Sequence, residues 1–115
     1  MIVMPIVYVS DLARSRAFYE QLGFFGAPSQ RGADWAELTS AGGILALHQV
    51  DPLPRDYRAR VELVLVATTP LSELVDGFSE RGVDVEIFSD EAGPFITLID
   101  PDGLPLRVNA GDEDR

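Results

Sequence analysis

The sequence has 115 residues, 46% of them hydrophobic, with nineteen acidic against nine basic side chains and a formal net charge of −10. That is one domain's length, and the charge argues against nucleic acid or an anionic membrane surface as partner, since phosphates are bound through lysine and arginine. Cysteine is absent, which removes disulfide and thiol chemistry.

No run approaches the roughly 20 apolar residues of a membrane span. Met1 to Val9 has neither a basic start nor a small-residue cleavage site, so a soluble cytoplasmic protein is the expectation. Ile2 to Val9 is β-branched and apolar on both faces, as in a strand covered on both sides. Pro5 within it donates no backbone hydrogen bond, which predicts an edge or an irregularity there. Ser10 or Asp11 opens a helix whose apolar stripe is Leu12, Phe18, Tyr19 and Leu22, and Gly23 ends it.

Three short segments follow, about Phe25 to Gln30, Trp35 to Thr39 and Ile44 to Gln49. Arg31-Gly32-Ala33-Asp34 and Ser40-Ala41-Gly42-Gly43 supply the turns between them. Val50 to Arg60, with Pro52 and Pro54, reads as an exposed linker. Val61 to Ala67 is the next strand. Thr69 as cap and Pro70 at the first helical position open a second helix with the stripe Leu71, Leu74, Val75 and Phe78. Val83 to Phe88, Phe95 to Ile99 and Leu104 to Asn109 are the last three strands, and Asp100-Pro101-Asp102-Gly103 is the hairpin turn between the final two. Gly111 to Arg115 is a charged tail.

The two halves are copies of one unit. Val7 and Val66, Leu12 and Leu71, Tyr19 and Phe78, and Gly23 and Gly82 match when the numbering is shifted by 59. Downstream one further residue intervenes, and Trp35 meets Phe95, Leu38 meets Leu98 and Gly43 meets Gly103. The predicted class is α+β, with one domain over residues 1–110 made of modules at about 1–50 and 60–110, a linker at 50–60 and a tail at 111–115. Each module is a strand, a helix and three strands, which makes a four-stranded sheet with a helix on one face. The other face is open, and two such faces brought together enclose a cavity for a small molecule.

Val9-Ser10-Asp11-Leu12, Phe18 to Phe24, Gly43 to His48 and Asp100 to Gly103 resemble the vicinal oxygen chelate superfamily of glyoxalases, bleomycin resistance proteins and extradiol dioxygenases. The resemblance spans essentially the whole chain. It implies paired βαβββ modules and usually a homodimer in which modules of two chains share each cavity. In metal-dependent members a histidine or glutamine stands eight residues before the leucine that opens the first helix. A histidine stands likewise in the second repeat, and a glutamate four residues after the glycine of the last turn. Carried onto this sequence, those places hold Met4, Leu63 and Arg107. Thioether, hydrocarbon and guanidinium are not the donors a divalent ion needs, so no cofactor is expected and an enzyme is the lesser reading. A shift of one residue would bring Glu62 into play, but with its side chain turned toward the helix.

Strand alternation nominates the cavity residues. If Met4 points inward, so do Ile6 and Tyr8; in the second repeat so do Leu63, Leu65 and Ala67; in the last strand so do Arg107 and Asn109. Trp35 and Phe95 fall on equivalent strands, with Glu37 two residues beyond Trp35. The candidate ligand-binding set is Tyr8, Trp35, Glu37, His48, Phe95, Arg107 and Asn109. His48, the single histidine, either lines the cavity or is a satisfied, partly buried group. Trp35 and Phe95 serve either the cavity or a packed interface. Arg107 either meets ligand or makes a salt bridge, with Glu37 a possible partner, since an unpaired buried cation is costly. Asp100 and Asp102 are read as turn formers.

The expected function is non-covalent sequestration of a planar or amphipathic small molecule, with an antibiotic as one class of ligand, similar to what bleomycin resistance proteins do. The alternative is a metal-dependent glyoxalase, lyase or dioxygenase with His48 as one ligand. A third is a domain that only associates with a partner.

Overall fold

The structure is a computed structural model that describes residues 1–27 and 32–111. The contacts of the described residues form two compact units, one within residues 3–63 and one of residues 64–111 together with Met1–Ile2, so the division falls after Leu63; the predicted tail beyond Gly111 lies outside the described residues.

In the first module β1 (Ile2–Val9), α1 (Leu12–Gln21), β2 (Phe25–Ala27), β3 (Trp35–Ser40) and β4 (Gly43–Gln49) follow the predicted order. Residues 28–30 of the predicted second strand, and Arg31 of the turn after it, lie outside the described residues. The strands are ordered β2-β3-β4-β1, with β1 parallel to β4 and the other neighbours antiparallel. Pro5 precedes the stretch Ile6–Val9 that is in register with β4.

Two side chains cap α1. Asp11 accepts from the Arg14 N–H at 3.1 Å, and the Gln49 carboxamide oxygen accepts from the Leu12 N–H at 2.7 Å. The helix covers one sheet face, where Val9, Ala36, Leu38 and Leu47 are buried and Leu12 and Tyr19 pack against them. Burying Leu38 and Leu47 contributes about 2 kcal/mol each. The predicted stripe is narrower than expected, since Phe18 and Leu22 are 56% and 61% exposed. Leu22 lies beyond the last helical residue, and the Phe18 ring meets Tyr19 edge-on at 5.2 Å.

The second module repeats the plan with β5 (Val61–Val66), whose first three residues belong to the first compact unit, then α2 (Leu71–Glu80), β6 (Ile87–Asp90), β7 (Gly93–Ile99) and β8 (Pro105–Asn109). Its order is β5-β8-β7-β6, with β5 parallel to β8. Ala67, Leu71, Ile96, Val108 and Ala110 form its core, and Leu65, Leu74, Val75 and Leu98 pack on them. Thr69 is not the cap of α2: Pro70 holds that place in an extended conformation, with no side-chain cap, and its carbonyl accepts from the Glu73 and Leu74 N–H groups. The strand predicted from Val83 begins only at Ile87. In the last turn the Asp100 carboxylate accepts from Asp102 N–H at 2.9 Å and Leu104 N–H at 2.8 Å. Gly103 takes φ +89° there, the left-handed region that glycine enters freely. Asp100 is thus a turn former. Gly111 is required for a different reason, because a Cβ there would stand 2.1 Å from the Ala67 carbonyl oxygen.

One prediction of facing is reversed. Leu65 and Ala67 pack against the helix-side core, so they do not point away from it as expected; Val64 and Val66, paired with Arg107 and Asn109, take the opposite face. The reason lies in the connection to the helix. Two residues, Ser10 and Asp11, join β1 to α1, whereas Val66 and Leu71 are separated by four, of which Ala67 continues the strand's packing. The strands therefore correspond with an offset of 58, Val7 with Leu65 and Val9 with Ala67, while the helices correspond with 59. The counterpart of Met4 is Glu62, not Leu63. Glu62 alternates with Val64 and so lies away from the helix, contrary to the expectation.

Candidate ligand-binding site

The helix-free face of the first module carries a row of rings across three strands. Tyr8 on β1 is in register with His48 on β4, and His48 with Trp35 on β3. Ring centroids are 5.6 Å apart for Tyr8 and His48 and 5.6 Å for His48 and Trp35, the latter edge-on, within the range at which aromatic pairs attract. All three are half-buried. On the same face Met4, Ile6 and Ala46 are buried, so the row adjoins an apolar floor.

Carboxylates surround the row. The Trp35 indole N–H donates to Glu37 at 2.9 Å, which fixes the ring's edge. His48 Nε2 lies 3.4 Å from the Asp34 carboxylate. The Tyr8 hydroxyl donates to Glu62. Burial first, then that hydrogen bond and the charge of Glu62, push the Tyr8 phenol up to about 12 from the ordinary 10.0. Each effect favours the neutral phenol over phenolate.

The linker closes one side of this region. Its last residues, Tyr57–Arg60, form a 3-10 turn that the sequence reading missed. Asp56 caps it by accepting from the Arg58 N–H at 3.0 Å, and Arg60 donates from Nε to the Pro54 carbonyl at 2.7 Å. Between the folded linker and β1 lies an open cavity of about 520 Å³, lined by Tyr8, Val50, Pro52, Pro54, Ala59, Val61 and Glu62.

The second module places Phe95, Arg107 and Asn109 together on its own helix-free face. Arg107 lies over the Phe95 ring at 3.8 Å, donates from Nε to the Asn109 carboxamide oxygen, and pairs through Nη2 with Asp90 at 2.9 Å. The salt bridge proposed for Arg107 therefore runs to Asp90. Asn109 is 4% exposed, so its hydrogen bond to Arg107 satisfies a buried amide. Phe88 stacks on Phe95 at 5.9 Å. The counterparts Trp35 and Phe95, and His48 and Asn109, occupy matching registers in their own modules.

Four of the predicted residues, Tyr8, Trp35, Glu37 and His48, thus meet in one module, and three, Phe95, Arg107 and Asn109, in the other. Asp34, Asp90 and the linker residues were not foreseen, and Glu62 was considered but expected to face the helix. For Glu62 a signal existed: Thr68-Thr69-Pro70 is longer than Ser10-Asp11, and a gap placed there brings Glu62 opposite Met4.

The divalent ion that the resemblance implies finds a poor donor set. The corrected positions offer a methionine sulfur, the Glu62 carboxylate already accepting from Tyr8, and the Arg107 guanidinium. Among the described residues no three histidine, aspartate or glutamate side chains group so as to hold a metal. These residues do not fit a divalent centre.

No family model and no curated protein matches the chain. Solved structures do. A glyoxalase/bleomycin resistance protein/dioxygenase superfamily member from Vibrio splendidus 12B01 is 21% identical, with 95% of this chain and 97% of that one covered and a TM-score of 0.57. A protein from Legionella pneumophila described as an NAD-dependent benzaldehyde dehydrogenase is likewise 21% identical, over 94% and 97%, at 0.56. The chain has the glyoxalase/bleomycin resistance/dioxygenase fold, as its motifs implied. Two neighbours with such unlike names illustrate that the fold does not carry an activity with it. No helix is long and apolar enough to cross a membrane among the described residues.

Proposed function

We propose that this chain binds a planar or amphipathic small molecule without chemical conversion, holding it against the helix-free face of the first module and working as a homodimer. The observation that carries the reading is the row Tyr8, His48 and Trp35, half-buried and spaced 5.6 Å ring to ring. Polar groups fix the rings in place: Glu37 holds the indole edge and Glu62 the phenol. A planar ligand gains stacking on rings that lose little freedom on binding. Three carboxylates, Asp34, Glu37 and Glu62, give the row a negative rim, which favours neutral or cationic rings over anionic ones.

Trp35 is the only tryptophan, so its fluorescence reports the site directly. Titration with planar heteroaromatic compounds of either charge should give saturable quenching, with cations tighter than anions. Trp35→Ala should weaken binding, followed by calorimetry, by about tenfold, or about 1.4 kcal/mol, with sedimentation unchanged. Binding that survives both Trp35→Ala and His48→Ala at full strength would refute the reading. Dissociation of a dimer in Trp35→Ala would assign the ring to an interface instead.

A further inference from the structure

The cavity beside the linker shares only Tyr8 with the aromatic row, and its chemistry differs. Its walls are Val50, Pro52, Pro54, Ala59 and Val61, all apolar, and its polar groups are the Tyr8 hydroxyl and the Glu62 carboxylate. Glu62 accepts one hydrogen bond, from a neutral phenol, through Oε2. A carboxylate offers about four lone-pair positions, so most of its accepting capacity is unspent. Among the described residues no basic side chain pairs with it. Arg60, two residues before it, donates instead to the Pro54 and Arg55 carbonyls. A carboxylate beside apolar walls gains most from a partner that is cationic, donates hydrogen bonds and brings an apolar body to cover those walls.

We propose that this cavity is a binding site for an organic amine, a primary or secondary ammonium on an apolar, ring-sized body. The ammonium donates to the free oxygen of Glu62 and lies beside the Tyr8 ring, whose face also attracts a cation. The body rests on the prolines and valines of the linker and β5. A metal cation is a poor occupant, because only one carboxylate is offered and the walls supply no oxygen donors in place of water. A neutral or anionic molecule of the same shape leaves the Glu62 charge unanswered. The site stands whether or not the aromatic row binds a ring.

The test compares benzylamine, benzyl alcohol and benzoate by calorimetry and by chemical-shift perturbation of the full chain. Benzylamine should bind at least tenfold more tightly than benzyl alcohol, benzoate should not bind, and the shifts should centre on Val50, Ala59 and Glu62. Glu62→Gln should abolish the preference for the amine, and Glu62→Asp should keep part of it. Glu80→Gln, on the surface of α2, should change nothing; a comparable loss there would reveal a general attraction to the acidic chain and overturn the site. Equal binding of amine and alcohol to the native protein, or amine binding undiminished in a folded Glu62→Gln, would also overturn it. Trp35→Ala separates the two readings: the amine preference should persist in a variant that no longer stacks a planar ligand.

Discussion

Glu62→Gln makes a sharp test of the arrangement around Tyr8. The native phenol is raised from 10.0 to about 12, first by burial and then by the hydrogen bond to Glu62 and its charge. The folded state therefore resists losing this proton more than the unfolded chain does. The stability that follows is fully present below pH 10 and is lost as pH rises from 10 toward 12. Two pH units correspond to about 2.7 kcal/mol if the site were dry. Tyr8 is only half-buried and Glu62 is exposed, so solvent screening reduces this to about 1 kcal/mol. Phenolate absorbance of the native protein, minus that of Tyr8→Phe, isolates this one group among three tyrosines. Its midpoint should stand well above 10 and fall in Glu62→Gln, though not all the way, because burial remains. The unfolding free energy from denaturant titration should drop by about 1 kcal/mol over the same pH range in the native protein and not in Tyr8→Phe. A Tyr8 midpoint at the ordinary value, or one that Glu62→Gln leaves in place, would refute the reasoning.

Two further variants test the frame that holds the site. Leu38→Ala removes a side chain with no exposure between β3 and α1 and should cost about 3 kcal/mol in a urea titration with little change in slope; a loss under 1 kcal/mol would mean that the helix is not seated as described. Asp100→Ala deletes the acceptor for the Asp102 and Leu104 N–H groups, which should cost about 1 kcal/mol by thermal melting, with no effect on ligand binding in the first module.

The element order was legible because it rests on local signals. Alternation in Trp35 to Ser40, the stripe of α2, and the turn Asp100 to Gly103 each follow from near neighbours. Facing in the second module was not, because a match of Val7 to Val66 looks convincing whichever side of the strand each takes. The ends of elements were read less well for a similar reason. Val83 to Glu86 has strand-like residues but no strand there, and Thr69-Pro70 has a capping hydroxyl that the backbone does not use. Of the candidate site, the aromatic members were legible from strand alternation within one module. Their partners were not, since Asp90 reaches Arg107 from two strands away in the sheet and Glu62 reaches Tyr8 across 54 residues of sequence. Distance along the chain carries no hint of such pairs.

The residue by which the second copy outruns the first between strand and helix has a consequence for how such a duplicated chain can change. An insertion inside a strand would turn every later side chain over, moving hydrophobic groups to the wrong side and polar groups into the core. Placed in the turn, the same insertion leaves both ladders and both helix stripes in phase with their own packing. Lengthening is therefore tolerated at that joint and penalised a few residues to either side. What it alters is only the correspondence between the copies, so that Glu62, rather than a leucine, faces the way Met4 does.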